Sequence, residues 1–311
     1  MSLKSIKSVF NASLSNEIQD SIIEYFDWNL LNTNNFFNVS KGELAPNGKD
    51  YSLLSISEDP AIVKGKVWES FRSNWVWQSG VSASPAPIVG TNNAKPGISG
   101  IYINNSFYPT TTIGQYSYYV DYQNGRIVFN NPIPTGSKVQ AEFSYKWINI
   151  VYPDSVPWLR EIETNTLEPK SVEISSEIKI QLPAVAVEVV PDRRFKGYQL
   201  GGGQWVYVDV IFHCISEDRA TLNTLVDIFS LQNDSTIELF DSNKINQSGL
   251  FPLDYRGVPN SGALRYPDLI QRFHGGVLRL TDTTARNYQA VNSNIYAAAV
   301  RSTAELIKLD I

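Results

Sequence analysis

The stretch that most constrains the fold is residues 204–231. Gln204-Trp-Val-Tyr-Val-Asp-Val-Ile-Phe-His-Cys-Ile215 predicts one long strand, being rich in β-branched and aromatic residues. Directly after it the apolar spacing changes. Leu222, Leu225, Val226 and Phe229 fall at i, i+3, i+4 and i+7, which predicts an amphipathic helix over 217–231 capped by Ser216. A strand handing over to such a helix needs a sheet with a helix laid on it, so the expected class is α+β. Neighbouring segments supply more strands. Ala184–Val190 is one, Thr236–Phe240 another, and 276–282 and 295–309 close the chain as two more, although the alanines of 294–308 also suit a helix. Between the strands at 184–190 and 204–215, Pro191 to Gly203 reads as a loop with a basic start and a glycine-rich end.

The first part of the chain reads differently. Ile18, Ile22, Phe26 and Leu30 recur every four residues, predicting a helix over 15–31 with Ser15 at its N-cap, stopped by Asn32-Thr-Asn-Asn35. Short strands are expected at 51–56 and 66–71. Residues 82–97 have linker composition. Residues 98–150 hold the clearest hairpin signals: Asn104-Asn105 between apolar runs, Asn124-Gly125 between Tyr116–Tyr122 and Arg126–Asn130, and a long alternating strand at Lys138–Trp147. The expected organisation is 1–81 as the helix and first part of an α+β core, 82–152 as an inserted antiparallel β domain, and 153–311 as the rest of the core. Residues 241–268 form a long Gly/Pro/Asn-rich loop, and so long a loop inside a domain points to binding.

Composition excludes several function classes. The chain has 311 residues, 42% hydrophobic and 18% charged, with a net charge of −5, so bulk charge gives no support for tight nucleic-acid binding. One cysteine, Cys214, rules out an internal disulfide framework and a cysteine-rich zinc site. With two histidines, His213 and His274, a His-rich metal site is not expected. Neighbouring strand residues point to opposite faces, so His213 and Cys214 cannot form a dyad together. Gly201-Gly-Gly203 leads into a strand with no lysine after it, which is not the pattern of a phosphate loop. No nucleophile elbow, zinc-protease motif or calcium loop occurs. No cofactor is expected, and the chain is read as non-enzymatic. A glycosidase-like carboxylate pair would be one among many acidic residues and cannot be located. A sugar- or receptor-binding β module, with Trp75, Trp77 and Tyr122 as stacking platforms, stands as an alternative. Met1–Phe10 has no apolar run after its lysines, so no secretory signal is expected, and no apolar stretch is long enough for a membrane helix.

Leu182-Pro-Ala-Val-Ala-Val-Glu-Val-Val-Pro-Asp-Arg-Arg-Phe-Lys-Gly-Tyr-Gln-Leu-Gly201, continued by Trp205 to Arg219, resembles tail-terminator or tail-completion proteins of tailed-bacteriophage necks. The shared pattern is a strand, a projecting turn, a second long strand ending in Ser-x-Asp-Arg, and a helix across the sheet. The N-terminal helix fits that architecture too. The resemblance implies a terminator-like α+β core and a ring of six copies in the virion, assembled in the host cytoplasm. Such a ring caps the tail tube and sheath and joins the head-side connector, and DNA passes its lumen without specific binding. Another head–tail adaptor or a baseplate component is the neighbouring alternative. Expected contact residues are Arg193, Arg194, Lys196 and Tyr198 on the turn 192–203, and Asp254, Tyr255 and Arg256 on the loop 249–262.

Overall fold

The computed structural model describes residues 14–44, 48–78, 97–153, 181–199, 202–249, 251–260, 262, 264–287 and 295–308, and within these the chain is α+β with more strand than helix. Nearly all of the expected linker at 82–97, most of 153–183 and the tip at 200–201 lie outside the described residues. The chain divides into a β unit, 28–147 with 251–263, and an α+β unit, 1–27 with 148–250 and 264–311. Helix α1 (Leu14–Asn32) runs from one unit into the other. Ile18, Ile22 and Phe26 are buried as their spacing requires, but the last turn belongs to the β unit, and there Leu31 is buried rather than Leu30. Ser15 lies within the helix instead of capping it. The helix stops as expected: Thr33 Oγ1 donates to the Leu30 carbonyl, and Asn34 takes φ +69°.

The β unit contains β1 (Phe36–Val39), β2 (Ser55–Ile56), β3 (Val67–Glu69), β4 (Ile98–Ile103), β5 (Ser106–Pro109), β6 (Tyr118–Asp121), β7 (Arg126–Phe129) and β8 (Val139–Lys146). They form two four-stranded antiparallel sheets, ordered β1-β8-β4-β5 and β2-β3-β7-β6. Val39, Ile101, Ile103, Val139 and Phe143 from one sheet share a core with Trp68, Val120, Ile127 and Phe129 from the other. The unit is larger than the expected 82–152 because β1 pairs with β8 and β3 with β7. The Asn104-Asn105 turn has φ +48° and +70°, the positive values a tight two-residue hairpin turn demands. The other hairpin differs from expectation. Its loop runs from Tyr122 to Gly125, and of the expected Asn124-Gly125 pair Gly125 alone has positive φ, +61°. Asp121 holds that loop: its carboxylate accepts from the Asn124 backbone N–H at 3.2 Å, Asn124 Nδ2 at 2.8 Å and Arg126 Nε at 2.7 Å.

The α+β unit contains β9 (Asn149–Val151), β10 (Ala184–Gln199), β11 (Gly202–Ser216), α2 (Arg219–Ser230), β12 (Thr236–Phe240), α3 (Ser242–Ser248), α4 (Tyr266–Phe273), β13 (His274–Asn287) and β14 (Tyr296–Lys308). Their sheet order is β12-β13-β14-β11-β10-β9, antiparallel except for the β9–β10 pair. One face is core: Val206, Val208, Val210 and Phe212 of β11 and Leu278 and Leu280 of β13 are buried. Phe212 meets Phe26 of α1 at 5.3 Å and Phe229 of α2 at 4.8 Å, so both helices pack on this face.

Of the two readings of the last segment the strand holds: β14 is flanked by β11 on one side and β13 on the other. Two expectations are corrected here. Asp218, not Ser216, caps α2: its carboxylate accepts the Thr221 N–H at 2.7 Å, while Ser216 Oγ accepts the Asp218 N–H. Residues 241–268 are not one unstructured loop. Asp241 caps α3, Gly249 ends it at φ +67°, a bridged turn pairs Leu253 with Pro259, and α4 has begun by Tyr266.

Candidate assembly interface

The expected loop from Pro191 to Gly203 is instead most of a hairpin, and β10 continues to Gln199. Nor does it project from the sheet. β11 is paired with β14 over its length, from Gln204↔Lys308 to Ser216↔Tyr296, so the hairpin is the sheet's own margin. The register jumps between Val189↔Val210 and Arg193↔Val208, leaving residues 190–192 as a bulge. Pro191 sits in that bulge, where the ladder needs no N–H from it. Pairing then resumes through Gln199↔Gly202.

Strand alternation sorts the four residues expected on this turn. Arg194, Lys196 and Tyr198 share the face opposite the core, and Arg193 takes the other. The Arg194 and Lys196 cations lie 5.7 and 5.2 Å from the Tyr207 ring centre. Tyr198 meets Trp205 at 5.8 Å, and Trp205 lies nearly parallel to Tyr207, 18° apart at 6.2 Å. Further along this face, Arg301 pairs with Asp209, which also accepts from Thr303 Oγ1. Arg193 instead donates to Ser15 Oγ in α1, and Gln19 Nε2 donates to the Val187 carbonyl at 2.8 Å. Helix α1 therefore covers the near part of the β10 margin. Residues 191–198 are nonetheless exposed, among them Phe195 at 53% and Tyr198 at 40%.

Asp254, Tyr255 and Arg256 lie in the β unit, and Arg193, Arg194, Lys196 and Tyr198 in the α+β unit. Asp254 Oδ1 accepts the Arg256 and Val258 N–H groups, which closes the turn. Tyr122 N–H donates to the Gly257 carbonyl, docking the turn on the β6–β7 hairpin. The Arg256 guanidinium lies over Tyr119 at 5.7 Å and Tyr255 at 5.1 Å, and Tyr255 itself is 89% exposed. This is a small, braced, aromatic tip, of the kind that serves as an interface anchor.

The residues considered for other chemistry are placed unfavourably for it. Trp75 is buried, stacked on Phe143 at 4.3 Å, and donates its indole N–H to the Arg72 carbonyl. Tyr122 packs against the same core, where burial pushes its hydroxyl up to about 12. Trp77 is half-buried. Trp75 thus offers no open face to a sugar, and Tyr122 is half-buried. Burial pushes the Cys214 thiol up to about 12, so it is protonated and a poor nucleophile at neutral pH. His213 is buried and hydrogen-bonds through Nε2 to Glu188 at 2.8 Å. Among the described residues no group of three His, Cys, Asp or Glu is placed to hold a metal, and no helix is long and apolar enough to cross a membrane.

Sequence reading missed Phe195, Trp205, Tyr207 and Tyr119. Trp205 and Tyr207 were visible as alternate residues of one strand, but their cross-strand cations become visible only with the register. No family model matches the chain, and no curated protein matches it.

Proposed function

We propose that this chain is a structural protein that works as one copy of a closed ring, at the neck of a tailed bacteriophage, where it terminates the tail and meets the head-side connector. The observation that carries the reading is the margin of β10 beyond its bulge. It keeps regular strand geometry, exposes Phe195 and Tyr198, and has no strand beside it among the described residues. An open, partly apolar sheet edge is an aggregation hazard unless a partner covers it in use. Bound in an assembly, the edge and the braced Tyr255 tip are both accounted for.

The terminator-like reading also draws on the order of elements: two long antiparallel strands, the second leading through Ser216-Glu-Asp-Arg219 into a helix packed on the sheet. Six copies remain the expected number, from the resemblance alone. Native mass spectrometry and negative-stain imaging of the purified chain, alone and mixed with tails lacking their terminal ring, test the proposal. A closed multi-copy species that seats on tail ends is the expected result. A single-copy species at every concentration, with no attachment to tails, overturns it.

A further inference from the structure

We infer that the ring contact joins the β10 edge of one copy to the β12 edge of the next, so that the six-stranded sheets run on from copy to copy. The inference rests on the ring reading above and specifies the surface that makes it. The occupant is a second copy of this chain, and charge complementarity selects it.

Two strands lie toward the margins of this sheet with no strand beside them on one side among the described residues: β10 over its distal half, and β12, whose last N–H, that of Phe240, donates to Ser21 Oγ of α1. The β10 margin is basic, with Arg193, Arg194 and Lys196 all exposed. On the β12 margin Glu238 is exposed and supplies the complementary charge, whereas Asp234 just before the strand is paired with Arg279 at 2.7 Å and Asp241 just after it with Lys244 at 3.7 Å. Registers place Glu238, Arg194 and Lys196 on one face. Thr236 pairs with Arg279, Arg279 with Glu305, Glu305 with Tyr207, and Tyr207 with Arg194. Glu238, two residues from Thr236, therefore shares the face that carries Arg194 and Lys196. If the sheet continues across the joint, that face continues, and Glu238 of one copy comes beside Arg194 or Lys196 of its neighbour.

The alternative self-contact is β10 against β10 about a two-fold axis. It sets two copies of Arg193, Arg194 and Lys196 against each other, and like charges across a strand pair oppose association. Direction favours the head-to-tail joint as well. Four antiparallel steps separate β12 from β10, so the two edges run the same way. Copies related by rotation about an axis along the strands thus meet as a parallel pair. Two different surfaces meeting by rotation is the arrangement that closes rings.

The test uses full-length chain. Arg194→Glu with Lys196→Glu, and separately Glu238→Lys, are expected to move the main species on native mass spectrometry from multi-copy to single-copy mass. Combining all three is expected to restore the multi-copy species. Far-UV circular dichroism of each variant confirms that it is folded. Independently, Lys196→Cys with Glu238→Cys is treated with a short bis-maleimide. It should give a ladder of covalent multimers, and Lys196→Cys alone should give none, the native Cys214 being buried. A native ring whose mass is unchanged by the reversals, with no ladder, overturns this joint and leaves the ring reading standing. Covalent dimers from Lys196→Cys alone also overturn it, in favour of two-fold pairing. A native chain that is single-copy throughout overturns both.

Discussion

Trp75 separates the core reading of the β unit's aromatics from a sugar-binding one. It is 1% exposed and stacked on Phe143, so Trp75→Ala removes a large core side chain and leaves a cavity. The expected loss is about 3–5 kcal/mol, read by urea unfolding. A stacking platform for glycans would instead lose sugar binding at nearly unchanged stability. Gly125 makes a second residue-scale test. A Cβ there would stand 2.1 Å from the Arg72 carbonyl oxygen, at φ +61°, whereas a Cβ on Gly136 would meet nothing within 4 Å. Gly125→Ala should therefore lower the thermal midpoint strongly, and Gly136→Ala hardly at all. At this scale the sequence was legible where chemistry is local, as at Asn104-Asn105 or Ile18, Ile22 and Phe26. It was not legible where the neighbour is distant in the chain. Spacing puts Trp75 and Trp77 on one face of a strand, yet Phe143, which buries the first, lies far along the chain. Arg193 and Arg194 read as one cluster until pairing with Val208 and Tyr207 sent them to opposite faces.

Elements follow the same rule. Helix α2 was visible from its spacing, and its cap is a testable detail. Its hydrogen bond from Thr221 holds the Asp218 carboxyl below the usual carboxylate range. A carboxylate with a lowered folded pKa stabilises above its unfolded pKa, about 4, and that contribution is lost as pH falls through the lower folded value. Asp218→Ala should thus melt below the native chain at neutral pH, and the gap should close in acid. Equal gaps at both pH values would remove the capping assignment. Strand β10 was half legible. Pro191 and the basic residues after it look like a loop, but the bulge takes up the proline and β11 supplies a partner that restores the strand. The error at 241–268 had a local remedy. Pro267 in the first turn, Asp268 beside it, and Tyr266, Leu269 and Phe273 buried on one side are ordinary signs of a helix start. The Gly, Pro and Asn content around them outweighed those signs in a reading by composition.

At the scale of the whole molecule, neither unit is contiguous in sequence, and this is why the boundaries at 82 and 152 were not found where expected. The 251–263 excursion joins the β unit through the contact of Gly257 with Tyr122, which no composition shift announces. The assembly reading has a thermodynamic consequence at this scale. A joint made by folded copies and not by unfolded chains stabilises the folded state by mass action, and each joint adds about 1.4 kcal/mol for every tenfold rise in concentration. Each copy in a closed ring contributes one such joint on average. The thermal midpoint of the native chain should therefore climb with protein concentration, by one to a few degrees per decade. The Arg194→Glu, Lys196→Glu chain should melt at a midpoint independent of concentration, because it keeps its own core and lacks the joint. Salt gives the same experiment a second axis. The charges at the two margins are exposed, so screening at high ionic strength weakens their attraction. The native slope should then shift toward higher concentration in salt, while the reversed chain is unaffected. A native midpoint flat over the whole range would mean that the margin of β10 meets water, and not a neighbour, in the folded state.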